Sequence, residues 1–136
     1  MSIESESLAT VREYIDAYNR DVRHAQEQFF ADEFEWIEGP TAWFPEGRSG
    51  GRRELLQAVS LSESALRDES IEITSTIASG NAVALEGIWR ATVTDAGIGI
   101  PVGSKLEVPL AQFLRVKGGK IMSSHEYVCA PTVGAA

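Results

Sequence analysis

The period of the hydrophobic pattern changes once along this chain, near residue 70, and that change constrains the fold more than any other feature. Before it, apolar residues recur at spacings of three and four; after it, they alternate with polar ones. Leu8, Val11, Ile15 and Tyr18 fall on one face of a first helix, with Arg12, Glu13 and Asp16 turned away. Ser5 or Ser7 can cap its start, and Asn19-Arg20-Asp21 is its exit. Asp21 caps a second helix whose apolar side is Val22, Ala25, Phe29 and Phe30. A short strand, Phe34 to Glu38, ends at Gly39-Pro40, which opens a Gly/Pro- and aromatic-rich loop to Gly51. A third helix carries Leu55, Leu56 and Val59 and decays through the polar stretch Ser60 to Ser70.

Beyond that point the chain reads as strands. Ile71, Ile73 and Ile77 alternate with polar residues up to the turn Ser79-Gly80-Asn81. A long strand runs from Ala82 to Val93, with Val83, Leu85, Gly87, Trp89, Ala91 and Val93 on one face. A loop, Asp95 to Ser104, leads to a strand from Leu106 to Lys117, and Lys117-Gly-Gly-Lys120 turns into a last strand, Ile121 to Cys129. From Pro131 the chain is expected to fray. Helices first and consecutive strands after predict a single α+β domain over residues 1–136, its core at 8–131, with three helices packed on one face of a curved, mostly antiparallel sheet.

Composition removes several functions. Twelve Lys and Arg against 20 Asp and Glu give a net charge of −8, a poor match for nucleic acid or an anionic membrane surface. No apolar run approaches the ~20 residues of a membrane span. The start, Met1-Ser-Ile-Glu-Ser-Glu-Ser, is acidic where a secretory leader needs a basic start, so a cytoplasmic setting is expected. One cysteine, Cys129, and two histidines, His24 and His125, argue against a Cys/His zinc site, and no metal is expected.

The order of elements, together with Tyr14-Ile-Asp-Ala-Tyr-Asn19, Phe30-Ala-Asp-Glu33, Gly47-Arg-Ser-Gly-Gly-Arg-Arg-Glu54, Leu106-Glu-Val-Pro109, Gly119-Lys-Ile121 and His125-Glu-Tyr127, resembles the nuclear-transport-factor-2-like superfamily. Within it the chain is similar to SnoaL-like and ketosteroid-isomerase-like proteins. The resemblance implies a cone in which helices and sheet enclose one apolar pocket for a small hydrophobic molecule, and a homodimer. It implies fold more than reaction, because this fold serves isomerases, cyclases, hydratases and binding modules alike.

Strand parity nominates Phe34, Trp36, Trp89, Leu114 and Val128 as pocket lining, with Tyr18 on the first helix. Trp43 and Phe44 belong to the loop and suit a pocket rim, a dimer contact or simple loop packing. Glu38 shares the parity of Trp36 and matches the strand end where the related isomerases carry their proton-moving carboxylate. Beside Trp36 in an apolar cavity, desolvation would raise its pKa toward the range of a general base. Tyr14 matches the isomerase tyrosine that donates to the developing oxyanion, a role for which Tyr18, one turn on, competes.

The sequence departs from the family at three places. The stretch matching the isomerases' acid donor is Ala111-Gln112-Phe113, so only the Gln112 amide can donate there. Tyr127-Val-Cys129 replaces the Tyr-x-Asp of many polyketide-cyclase-like relatives, and Gly87-Ile88-Trp89 lacks the ionic pair of the epoxide hydrolases. By parity with Ser124 and Val128, Glu126 points inward as partner acid, and His125 points outward. These residues imply proton transfer on a carbonyl compound with no cofactor, both roles being met by side chains. A ligand-binding or dimerisation module of the same fold is the alternative.

Overall fold

The computed structural model describes residues 2–136; Met1, the first residue of the acidic start, lies outside them. Three helices come early: α1 (Ile3–Tyr18), α2 (Val22–Phe29) and α3 (Arg52–Ala65). The strands are β1 (Phe30–Glu38), β2 (Arg48–Gly51), β3 (Leu66–Ser79), β4 (Ala82–Val93), β5 (Lys105–Lys117), β6 (Lys120–Val128) and β7 (Thr132–Gly134). They form one sheet in the order β2-β1-β6-β5-β4-β3, with β7 beside β5. All pairings are antiparallel except β1 with β6. The helices lie on the inner face of this curved sheet, as expected of the α+β cone.

Several boundaries move, each for a local reason. The N-cap of α1 is Ser2, whose Oγ accepts from the Ser5 N–H at 3.1 Å, so the helix starts before Ser5 or Ser7. Phe30 takes extended dihedrals directly after α2 and begins β1, four residues earlier than predicted. The polar stretch after Val59 is no decaying helix: α3 continues to Ala65, and β3 starts at Leu66. Polarity there reflects the exposed positions Ser60, Glu63, Ser64, Arg67 and Asp68, whose pattern periodicity alone cannot tell from a loop. The tail does not simply fray, since β7 pairs with β5 between Lys105 and Glu107.

Two irregularities in β3 decide what faces the interior. Between Ile73 and Ser75 the strand carries an extra residue opposite Gly87 and Glu86, so alternation slips by one. Ile77, expected inside, is therefore 72% exposed on the outer face. Gly87 makes this close approach possible, because a Cβ there would lie 2.6 Å from the Glu72 carbonyl oxygen. The other shift falls between Arg67 and Ser70, where Asp68 adopts a left-handed φ of 54°. It lets Leu66 and Glu69 both turn inward although their numbers differ in parity.

The core gathers where α1 crosses the sheet. Val11, Ile15, Val83, Leu85, Leu114, Val116 and Ile121 are buried together. The Tyr14 ring packs edge-on against Phe29 at 6.0 Å and tilted against Phe30 at 5.1 Å, contacts worth about 0.5–1.5 kcal/mol each beyond area burial. Asn19, just past α1, acts as a strand partner: its Nδ2 donates to the Ile71 carbonyl and its Oδ1 accepts from the Ile71 N–H, at 3.0 and 2.7 Å. That pair fixes the end of α1 to β3.

Candidate functional site

The open end of the cone holds a cavity of about 510 Å³, bounded by Tyr14, Tyr18 and Gln26 of the first two helices and by inward residues of β1, β3, β4, β5 and β6. Phe34, Trp36, Trp89 and Val128 are on its wall. Leu114 is not. It is two residues further along β5 than Gln112, at the end where the N-terminal half of α1 covers the sheet, and is wholly packed into the core. Parity gave its face correctly but could not say where along the strand the cavity stops. Trp43 and Phe44 form the rim, where the Trp43 indole N–H donates to the Ile98 carbonyl across the mouth at 3.2 Å.

Glu38 lies on the wall, yet it is not the free carboxylate expected. Both of its oxygens are held by Arg48, Nε to Oε1 at 2.9 Å and Nη2 to Oε2 at 3.1 Å. The β1–β2 hairpin creates this pair by setting Glu38 directly opposite Arg48. Its turn needs Gly47, at φ 75°, because a Cβ there would lie 2.5 Å from the Glu38 carbonyl oxygen. The guanidinium also lies over the Phe44 ring, 3.8 Å from its centroid, and 5.1 Å from that of Trp36.

Glu126, in register with Glu38 on the neighbouring strand, is a cavity carboxylate that no cation contacts. Trp36 Nε1 donates to its Oε1 at 3.2 Å, and Gln112 Nε2 donates to its Oε2 at 2.9 Å. Burial pushes its pKa above the usual carboxylate range. The Gln112 hydrogen bond opposes that rise, the Glu38 charge adds to it, and the Trp36 N–H and Arg48 charge pull back down. One of the two Gln112 amide hydrogens is thus engaged by Glu126, and the buried Gln112 Oε1 has no partner. His125 faces the opposite way, 3.5 Å from Glu35 on the outer face.

Tyr14 is buried, and its phenol is raised mainly by that burial, with the neighbouring Gln26 side chain pulling the other way. Tyr14 and Tyr18 are edge-on neighbours at 6.1 Å. Tyr18 accepts from Trp89 Nε1 at 3.1 Å and donates to Glu69 Oε1 at 3.4 Å. Sequence reasoning missed Glu69, although its phase with Ile71 and Ile73 was a usable signal, and it missed Gln26 and the pairing of Arg48 with Glu38.

A SnoaL-like domain model matches residues 11–124. No curated protein is similar in sequence to the chain. Among solved structures, IdmH of Streptomyces antibioticus, a candidate polyketide cyclase, is 19% identical with a TM-score of 0.75, over 90% of this chain and 91% of that one. AclR of Streptomyces galilaeus, a candidate hydroxylase, is 20% identical with a TM-score of 0.75, over 92% and 79%. A protein of Catenulispora acidiphila with a ketosteroid-isomerase-like fold, solved with trimethylamine, is 20% identical with a TM-score of 0.68, over 87% and 83%. At these identities the likeness is one of fold, while the match to residues 11–124 shows that the chain belongs to the SnoaL-like domain family.

Proposed function

We propose that this domain binds a small hydrophobic carbonyl compound in its cavity and moves a proton on it without a cofactor, as an isomerase, cyclase or hydratase does. The observation that carries this is Glu126. It is a carboxylate on an apolar wall, held by two neutral donors and by no cation, with its pKa raised by burial. Such a group takes a proton from carbon near neutral pH more readily than an ordinary glutamate, because its ionised form is poorly solvated. In this reading Glu126 is the base, Trp36 and Gln112 orient it, and the tyrosines of α1 stabilise the enolate oxygen. Glu38 and Arg48 set the local field instead of moving the proton.

A test needs only a flat ketone that enolises. Deuterium uptake by 2-tetralone in D₂O, followed by NMR, is expected to accelerate with the protein and to fall about 10²-fold or more in Glu126→Gln. No acceleration, or equal acceleration in the variant, would overturn the reading. One observation favours the rival, a non-catalytic binding module: Arg48 neutralises the carboxylate at the strand end that related isomerases use. Tight 2-tetralone binding without exchange would be its signature.

A second copy of the chain is the proposed partner, through the outer sheet face. Phe113 and Tyr127 are half exposed there, and Ile77 is more exposed still. Sedimentation at rising concentration is expected to show a dimer that Phe113→Glu disperses.

A further inference from the structure

Glu69 is a second carboxylate of the same cavity, and the mechanism above does not use it. It lies on the wall opposite Glu126, turned inward by the shift at Asp68 and held against α1 by the Asn19–Ile71 hydrogen bonds. Its partner is Tyr18, and the direction of that hydrogen bond follows from chemistry. An indole N–H only donates, so with Trp89 donating to the Tyr18 oxygen, the phenol's own proton goes to Glu69. While Glu69 is ionised, Tyr18 has no proton left for a ligand.

Resting on the reading of the cavity as a proton-transfer site, we propose that Tyr18 is the donor to the ligand's enolate oxygen and that Glu69 is the positioning residue that releases its proton. When Glu69 is protonated, its O–H turns to the phenol oxygen, and the Tyr18 O–H swings to the ligand carbonyl. Glu126 then takes a proton from the carbon beside that carbonyl. The C–H pair becomes the enolate double bond, and the carbonyl pair moves onto oxygen under the Tyr18 hydrogen bond. Glu126 returns the same proton to another carbon, so nothing is gained or lost.

Burial raises the Glu69 pKa, while the nearby Trp89 N–H and the Tyr18 hydrogen bond lower it and the Glu63 charge raises it. The other groups around the pair are few. Glu63, on α3, is itself paired with Arg23. Arg67 and Asp68 pair with one another on the exposed side of β3. Tyr14 and Glu126 act on Tyr18 within the cavity, and Asp95 lies at its rim.

The test uses 2-acetylnaphthalene, a flat ketone, with the infrared C=O stretch of the bound probe as readout, and a ¹³C titration of Tyr18 Cζ in the free protein. The expected result is a C=O band that moves to lower frequency as pH falls through the Glu69 midpoint, with Tyr18 Cζ moving at that same midpoint. Glu69→Leu leaves the phenol proton without its acceptor and holds the lowered band at every pH. Tyr18→Phe abolishes it. A lowered band that survives Tyr18→Phe, or a Tyr18 Cζ that ignores the Glu69 midpoint, would overturn the proposal alone. Failure of the probe to bind would overturn the ligand cavity and the proposal with it.

Discussion

Glu38 and Glu126 are neighbours in register on β1 and β6, face the same cavity, and differ in what meets their oxygens. Near the rim, a four-residue strand returns Arg48 across from Glu38 and cancels its charge with a bidentate pair stacked on Phe44. Deeper in, Glu126 receives only an indole and an amide. Two carboxylates one strand apart thus acquire different chemistry. Burial beside a guanidinium and burial without a cation shift a carboxylate's hold on its proton differently.

The largest effect is expected from removing the cation. Arg48→Met leaves Glu38 half-buried without a partner and frees the Phe44 ring, at a cost of about 2–3 kcal/mol in urea unfolding. It also raises the Glu126 midpoint further, erasing the contrast between the two groups. Trp36→Phe acts on the other side. Losing the N–H disfavours ionised Glu126 by about 1.5 kcal/mol, read as an upward move in its midpoint with little change in Glu38–Arg48 geometry.

Glu126→Gln tests the contrast through stability. The folded protein binds the Glu126 proton more tightly than the unfolded chain does, because the folded pKa is raised. That contribution is complete below the ordinary ~4.3 and is lost as pH rises through the raised midpoint, at about 1.4 kcal/mol per unit of elevation. Glutamine cannot ionise, so the variant is expected to match the native protein at low pH and exceed it at pH 8. Glu69 keeps part of the slope in the variant, because its pKa is raised by burial as well. The smallest effect concerns the opposite wall. Asp68→Gly is expected to change stability by less than about 0.5 kcal/mol, whereas Asp68→Val costs about 1–2 kcal/mol because a β-branched residue resists the left-handed backbone.

Most of the fold was legible because it rests on periodicity. The α1 face, the inward face of β4 and the helix-then-strand order all follow from spacing alone. What escaped was set by contacts between distant residues. The slip that exposes Ile77 depends on Gly87 tolerating the Glu72 carbonyl, which no local pattern in β3 records. The start of β3 escaped because four polar residues follow Leu66, and Glu69 was passed over with it although it is in phase with Ile71. At the site, parity could nominate Glu38, Trp36 and Gln112 as inward. It could not foresee that Arg48, ten residues on, would close over Glu38, since that needs the hairpin register. Which carboxylate keeps its charge uncompensated is a property of the assembled wall.

The most direct test is a ¹³C NMR titration of the Glu126 side-chain carboxyl carbon, in the native protein and in Glu38→Gln. The native midpoint is expected clearly above the ~4.3 of a free glutamate. A lower midpoint is expected in Glu38→Gln, where the Glu38 charge is gone and Arg48 is left free to attract Glu126. A midpoint in the ordinary range in both proteins would contradict a Glu126 held without a cation.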